Sequence, residues 1–123
     1  MKPQEIEKQI TIYIKKIGWK ELTSIQKKSI PVLLRRKHCL LVAPTGSGKT
    51  EAAVIPIFVY LAQTKQEKKG IRALYITPLK ALNRDIFGRL INYAEDVRLT
   101  VDIRHGDTSQ YARQRMVKTP PDV

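Results

Sequence analysis

The eight residues APTGSGKT, at positions 43–50, constrain the fold more than any other part of this sequence. They stand between a short apolar run, CLLVA at 39–43, and a long apolar segment that begins at Lys49. Glycines in such a bend let successive backbone N–H groups point at one anion, and the start of a helix adds partial positive charge. The string therefore predicts a phosphate-binding loop between a buried strand and a helix.

The side chains that follow the glycines fit the same chemistry. The Lys49 amine can reach the outer phosphates of a nucleotide, and the Thr50 hydroxyl can ligate Mg²⁺. Ala43 stands where the strict motif has its first glycine, but the G-x-G-K-T kernel is intact. We therefore predict nucleotide binding at this loop.

After residue 38 the predicted elements alternate in type, as in an α/β protein with a parallel sheet and flanking helices. Strands are predicted at 39–43, 71–77 and 98–104, helices at 49–63, 80–94 and 109–117, and the start of a fourth strand at 120–123.

Two more helices are predicted ahead of this sheet. The first spans 4–17 and is stopped by Gly18, and the second spans 24–37 and is interrupted near Ile30 by Pro31. We therefore divide the chain into N-terminal helices at 1–37 and an α/β region at 38–123, within a single structural unit.

The charge balance favours a polyanionic partner. The net charge is +12, and residues 1–40 hold ten lysines and arginines against three acidic residues. Neutralising phosphates releases counterions and so favours binding of nucleic acid, although a solvated lysine-rich surface explains the charge equally well. Cys39 is the single cysteine and no apolar run reaches the ~20 residues of a membrane span. We expect a cytoplasmic or nucleoid-associated protein with no membrane partner.

Four segments together resemble superfamily 2 helicases, most closely the large helicase-related (Lhr) group and its Ski2-like relatives. Residues 43–50 resemble helicase motif I, GWKELTSIQ at 18–26 the Q-motif region, TPLKALNRD at 77–85 motif Ia, and RHGDT at 104–108 the segment that follows it. The resemblance implies the N-terminal part of the first RecA-like domain, a partial P-loop NTPase domain that ends before the acidic, DExH-type motif.

The resemblance also implies ligands and contact residues. ATP and Mg²⁺ are the expected cofactors, with Lys49 and Thr50 as catalytic residues, Thr50 as the metal ligand and Gln26 reading adenine. The implied ATP-binding residues are Gln26, Thr45, Gly46, Ser47, Gly48, Lys49 and Thr50. The residues implied to contact the backbone of single-stranded DNA or RNA are Thr77, Pro78, Lys80, Arg84 and Gly106.

Hydrolysis needs carboxylates for the metal and the attacking water, and the only adjacent acidic pair, Glu95 and Asp96, falls at the end of a predicted helix. The chain alone is therefore expected to be inactive without the remainder of the helicase, and its apolar edge at 39–43 is expected to favour self-association. Two alternatives stay open: another P-loop NTPase such as a small-molecule kinase, or a non-enzymatic basic nucleic-acid-binding module.

Several other residues have simple structural interpretations. Cys39 is expected in the core, and Arg113 and Arg115 as exposed helix charges. Asp107 or Thr108 is expected to cap the last helix, because short side-chain oxygens accept from free helix N–H groups.

Overall fold

The computed structural model describes residues 2–64, 69–77 and 80–123, with the backbone alone described at 80–83. Its contacts group into two compact units, Met1–Thr64 and Lys65–Val123. The division predicted between residues 37 and 38 stays a prediction. Within the described ranges, no helix is both long enough and apolar enough to cross a lipid bilayer.

Three mutually contacting helices build the first unit: α1 (Pro3–Lys16), α2 (Ser24–Leu34) and α3 (Lys49–Gln63). The apolar stripe of α1 is buried, as the helical spacing of its isoleucines predicts. Helix α3 is apolar on nearly every side and supplies the largest share of this unit's core, through Ala52, Val54, Ile55, Phe58, Val59 and Leu61. The three predicted helices are therefore confirmed, but the second ends earlier than predicted.

Left-handed residues end the first two helices. Gly18 has a φ of 88°, its N–H donates to the Lys15 carbonyl oxygen over 3.1 Å, and the Trp19 N–H reaches the Ile14 carbonyl oxygen over 3.1 Å. This pair of bonds satisfies carbonyls that the helix end leaves free. The predicted stop at Gly18 is confirmed.

The predicted interruption of α2 at Pro31 is wrong. The helix runs through Pro31 to Leu34, because a proline removes only one backbone donor and the buried residues Ile30 and Leu34 keep their packing. It then ends three residues earlier than predicted, where Arg36 adopts a φ of 58° and its N–H donates to the Leu33 carbonyl oxygen over 2.8 Å.

Replacing Arg36 by glycine should stabilise the protein by about 1 kcal/mol. The left-handed backbone conformation is unfavourable by about that free energy for a residue with a side chain, but not for glycine. Urea unfolding followed by circular dichroism measures the change. The matched control is Arg35→Gly, which removes the same charge from a residue with an ordinary φ of −81° and should give no gain. Equal effects of the two changes would contradict the prediction.

The second unit contains α4 (Lys80–Asp96) and α5 (Gln110–Lys118). The expected cap of α5 at Asp107 or Thr108 is wrong, since the helix begins later and Ser109 caps it. The Ser109 Oγ accepts from the Ala112 N–H over 3.1 Å. Helix α4 ends, like α1 and α2, at a left-handed residue, Arg98, whose φ is 62°.

Residues 122 and 123 lie between two extended segments of this unit. The Asp122 carbonyl oxygen accepts from the N–H groups of Arg72 (2.8 Å) and Ala73 (3.2 Å). On the other side, the Asp122 N–H donates to the Thr100 carbonyl oxygen over 3.0 Å, and the Asp102 N–H donates to that of Val123 over 3.1 Å. The last two bonds advance in the same direction along both segments, as in a parallel pair.

The strands predicted at 39–43, 71–77 and 98–104 are not present as regular strands in the described residues. A strand needs a partner along its length, and the bonds above involve only a few residues of the last two segments. Segment 39–43 has no backbone bond to another described residue; Leu40 is 86% exposed and Cys39 is exposed rather than in the core. Self-association through this segment stays a prediction.

Candidate functional site

The bend at residues 44–48 leads directly into α3, which starts at Lys49 as predicted. Gly46 and Gly48 both have a φ of 81°, a conformation that an L side chain rarely adopts. The Ser47 N–H closes the bend by donating to the Pro44 carbonyl oxygen over 3.2 Å, and the Ala52 N–H makes the first helical bond to Gly48 over 2.9 Å. The glycines therefore allow the sharp entry that the sequence predicts.

The side chains of this bend fit a phosphate and a divalent cation. Lys49 and Thr50 occupy the first turn of α3, where free N–H groups attract anions, and both are half-buried. The Ser47 Oγ is buried and has no hydrogen-bond partner among the described residues. Because an unpaired buried hydroxyl is costly, this atom fits a site that a ligand completes.

Gln26 makes two hydrogen bonds within the protein that we did not predict from the sequence. Its side chain is 1% exposed, its Oε1 accepts from the Thr23 N–H over 3.0 Å, and its Nε2 donates to the Gly48 carbonyl oxygen over 3.2 Å. The spacing of Thr23 and Gln26 matches the capping-box pattern, a signal from which the first contact could have been predicted. The adenine-reading role of Gln26 stays a prediction.

The contact between Gln26 and Gly48 leaves no room for a side chain at Gly48. A Cβ built there would lie 2.5 Å from the Gln26 Nε2 and 3.5 Å from the Thr23 Oγ1. Glycine is thus needed at this position both for its φ and for the approach of α2. The structure brings Gln26 together with the bend, as the sequence prediction requires.

The residues predicted to contact nucleic acid belong to the other unit. Thr77 is half-buried and lines an apolar cavity of about 640 Å³, Arg84 is exposed on α4, and Gly106 is exposed in the turn before α5. Lys80 begins α4 one helical turn before Arg84, and its side chain is outside the described part, as is all of Pro78. The predicted nucleotide-binding residues thus belong to the first unit, and the predicted nucleic-acid-binding residues to the second.

Curated relatives of the chain are helicases. It is 37% identical over 116 residues to the ATP-dependent helicase Lhr-Core of Sulfolobus acidocaldarius, covering 85% of this chain and 13% of that protein. It is 33% identical over 125 residues to the Lhr helicase/uracil glycosylase of Escherichia coli K12, covering 86% of this chain and 8% of that protein. The chain therefore spans 13% or less of the length of these relatives.

Two solved structures share the fold at 28% identity. A hypothetical ATP-dependent RNA helicase from Sulfolobus tokodaii aligns with a TM-score of 0.71 over 91% of this chain and 31% of that one. The RNA helicase Prp28 from Chaetomium thermophilum, bound to ADP, aligns with a TM-score of 0.74 over 94% of this chain and 28% of that one. These alignments support the expected α/β RecA-like fold.

A model of one protein family matches most of the chain, far beyond any single motif. The model of the DEAD/DEAH box helicase family matches residues 23–123, a range that includes the bend, α3, α4 and α5. Together with the Lhr relatives, this match identifies the group that the motifs had indicated. The chain belongs to the DEAD/DEAH box helicase family.

Proposed function

We propose that this chain supplies ATP-binding and nucleic-acid-contacting parts of an ATP-dependent helicase. The observation that carries the proposal is the bend at 44–48, in which two left-handed glycines precede Lys49 and Thr50 at the start of a buried helix. Membership of a helicase family supports ATP as the nucleotide. Membership of a helicase family supports nucleic acid as the second partner, and the net charge of +12 is consistent with it.

The residues of the bend divide the work of holding the nucleotide. Backbone N–H groups of Thr45, Gly46, Ser47 and Gly48 would surround the phosphates, and the Lys49 amine would neutralise charge on the outer ones. The Thr50 hydroxyl would hold Mg²⁺, which when bound withdraws charge from the phosphate oxygens. Gln26 would meet the adenine edge with the donor and acceptor capacity that its two protein contacts leave free.

We propose binding by this chain rather than turnover by it. Phosphoryl transfer needs carboxylates to hold the metal and orient the attacking water. The adjacent pair Glu95 and Asp96 lies in the last turn of α4 rather than at the end of a strand. Lys49 and Thr50 would act in catalysis only where such carboxylates are supplied.

Backbone contacts to a single strand of DNA or RNA are assigned to the second unit. Arg84 is exposed on α4 one turn after Lys80, a spacing that allows both to follow one phosphodiester chain. Thr77, Pro78 and Gly106 complete the set that the motifs predict.

Titration of a fluorescein-labelled single-stranded oligonucleotide tests the nucleic-acid half of this proposal. Binding should weaken as salt rises, by about 0.7 in log K per log salt for each contacted phosphate. Arg84→Ala should reduce this slope by about that amount, because it removes one exposed cation from the proposed contact. Lys118→Ala removes another exposed cation, at the end of α5, and should change the slope less.

Repeating the titration with and without Mg-ATP separates the alternatives. A helicase part should bind the strand differently in the two states, whereas a basic binding module should bind it equally well in both. Competition for the ATP-bound form by small acceptors, without competition by oligonucleotides, would instead indicate a small-molecule kinase. Equal slopes for the Arg84 and Lys118 variants would contradict the assignment of Arg84.

A further inference from the structure

Arg113, on the first turns of α5, reaches back to the turn that precedes the helix. Its Nε donates to the Thr108 carbonyl oxygen over 3.1 Å, and its Nη2 donates to the His105 carbonyl oxygen over 3.2 Å. The side chain is half-buried, so the interpretation of Arg113 as an exposed helix charge is wrong. One guanidinium therefore joins both ends of the turn formed by residues 105–108.

The turn itself directs three of its N–H groups inward. The His105 N–H donates to the Thr108 Oγ1 (2.8 Å), the Thr108 N–H to the His105 carbonyl oxygen (3.1 Å), and the Asp107 N–H to the His105 Nδ1 (3.0 Å). Within the part of the chain that the structure describes, the Gly106 N–H has no such partner. This donor is therefore the one that the turn leaves for an outside group.

The fold does not require glycine at position 106. Its φ lies outside the left-handed range, the residue is exposed, and a Cβ built there would meet nothing within 4 Å. This contrasts with Gly48, where both the φ and a close neighbour exclude a side chain. The missing side chain at Gly106 instead leaves the backbone open to close approach from outside.

Both hydrogen-bond acceptors of the Arg113 guanidinium in the turn are neutral carbonyl oxygens. Arg115, two residues later, differs: its Nη2 lies 3.5 Å from the Asp102 Oδ2, and its side chain is 55% exposed. Arg113 therefore brings a positive charge to the turn while it contacts two of the carbonyl oxygens there.

We propose that Arg113 is a positioning residue for nucleic-acid binding. It holds the turn 105–108 in the shape that presents the Gly106 N–H to a backbone phosphate. The proposal rests on the proposed contact of Gly106 with nucleic acid and adds the residue that sets its geometry. Arginine is suited to this task because its rigid planar fork donates in two directions at once, whereas a lysine amine on a flexible stem holds one acceptor less firmly.

The decisive variant is Arg113→Lys, which keeps the positive charge but cannot make both hydrogen bonds to the Thr108 and His105 carbonyl oxygens. Binding of the labelled single strand should weaken about fivefold to tenfold, the change that loss of one hydrogen bond gives, with an unchanged salt slope. Hydrogen–deuterium exchange at the amides of His105, Asp107 and Thr108 should become faster. Arg115→Ala is the control on the same helix and should leave the exchange of these amides unchanged.

The variant Gly106→Ala distinguishes the positioning role of Arg113 from the contact of Gly106 with nucleic acid, on which that role rests. The change should weaken strand binding without altering exchange in the turn or the melting temperature, because the added Cβ has space. If Gly106→Ala and unaltered protein bind equally, the proposed contact fails and the Arg113 proposal falls with it. If Gly106→Ala weakens binding but Arg113→Lys neither weakens it nor speeds exchange, the Arg113 proposal alone is overturned.

A purely structural role of Arg113 is also distinguishable. Arg113→Lys would then lower the melting temperature and weaken Mg-ATP and strand binding alike, and this result would overturn the proposal. The supporting result is weaker strand binding and faster exchange confined to the turn, with Mg-ATP binding unchanged.

Discussion

Lys49→Ala should lower the affinity of the protein for Mg-ATP by about 10- to 150-fold. The estimate corresponds to loss of a hydrogen bond between charged groups, about 1.5–3 kcal/mol. Lys49 is the first residue of α3 and is half-buried. We therefore expect that no neighbouring cation can take the place of its amine in the variant. Isothermal titration calorimetry with Mg-ATP measures the change directly.

The matched control for this prediction is Lys28→Ala, which removes the same charge from an exposed position on α2. Its affinity for Mg-ATP should equal that of the unaltered protein. Melting temperatures of both variants establish that each is folded. Retention of full affinity by Lys49→Ala would refute the assignment of the bend at 44–48 as the nucleotide site.

Gly48→Ala should both destabilise the first unit and abolish measurable Mg-ATP binding. The left-handed φ costs an alanine about 1–2 kcal/mol. The new Cβ also displaces the buried Gln26 amide from its two hydrogen bonds, which adds about 1–3 kcal/mol. A total of about 2–5 kcal/mol is a large fraction of the 5–15 kcal/mol that typically stabilises a protein.

Gly18→Ala provides the control, because Gly18 has a similar φ of 88° and a Cβ there would meet nothing within 4 Å. It should cost only the backbone strain, about 1–2 kcal/mol, and leave nucleotide binding intact. Adding Gln26→Ala to Gly48→Ala removes the obstructing side chain and should recover part of the difference. Equal destabilisation by the two glycine variants in thermal unfolding would show that the close approach of Gln26 is unimportant.

Local signals in the sequence predicted local features of the structure well. The stop at Gly18 and the start of α3 at Lys49 follow from glycines in the adjacent residues, whose left-handed φ values mark the ends of these helices. The buried stripe of α1 follows from the spacing of its isoleucines. The kernel at 46–50 predicts the candidate nucleotide site, which stays a prediction, and the two left-handed glycines lie within it.

Features that depend on distant partners were not predictable in the same way. The bond from Gln26 to Gly48 joins residues that no local pattern relates, and the fork of Arg113 depends on how the turn 105–108 folds. The apolar run at 39–43 favours a buried strand, but strand formation requires a hydrogen-bonded neighbour that a single segment does not specify. Likewise, α2 continues past Pro31 because the buried residues Ile30 and Leu34 pack in the core, which the local sequence does not reveal.

The position of Asp122 between two extended segments has a consequence for the order of assembly. Its bonds to Arg72 and Ala73 close a stretch of about 50 residues, for which the entropy of loop closure is about 3.5 kcal/mol. The helical bonds of the first unit join residues only four apart and incur no comparable penalty. Long-range pairing is intrinsically slow, so the separate helices α1, α2 and α3 can each form before the ends of the second unit pair.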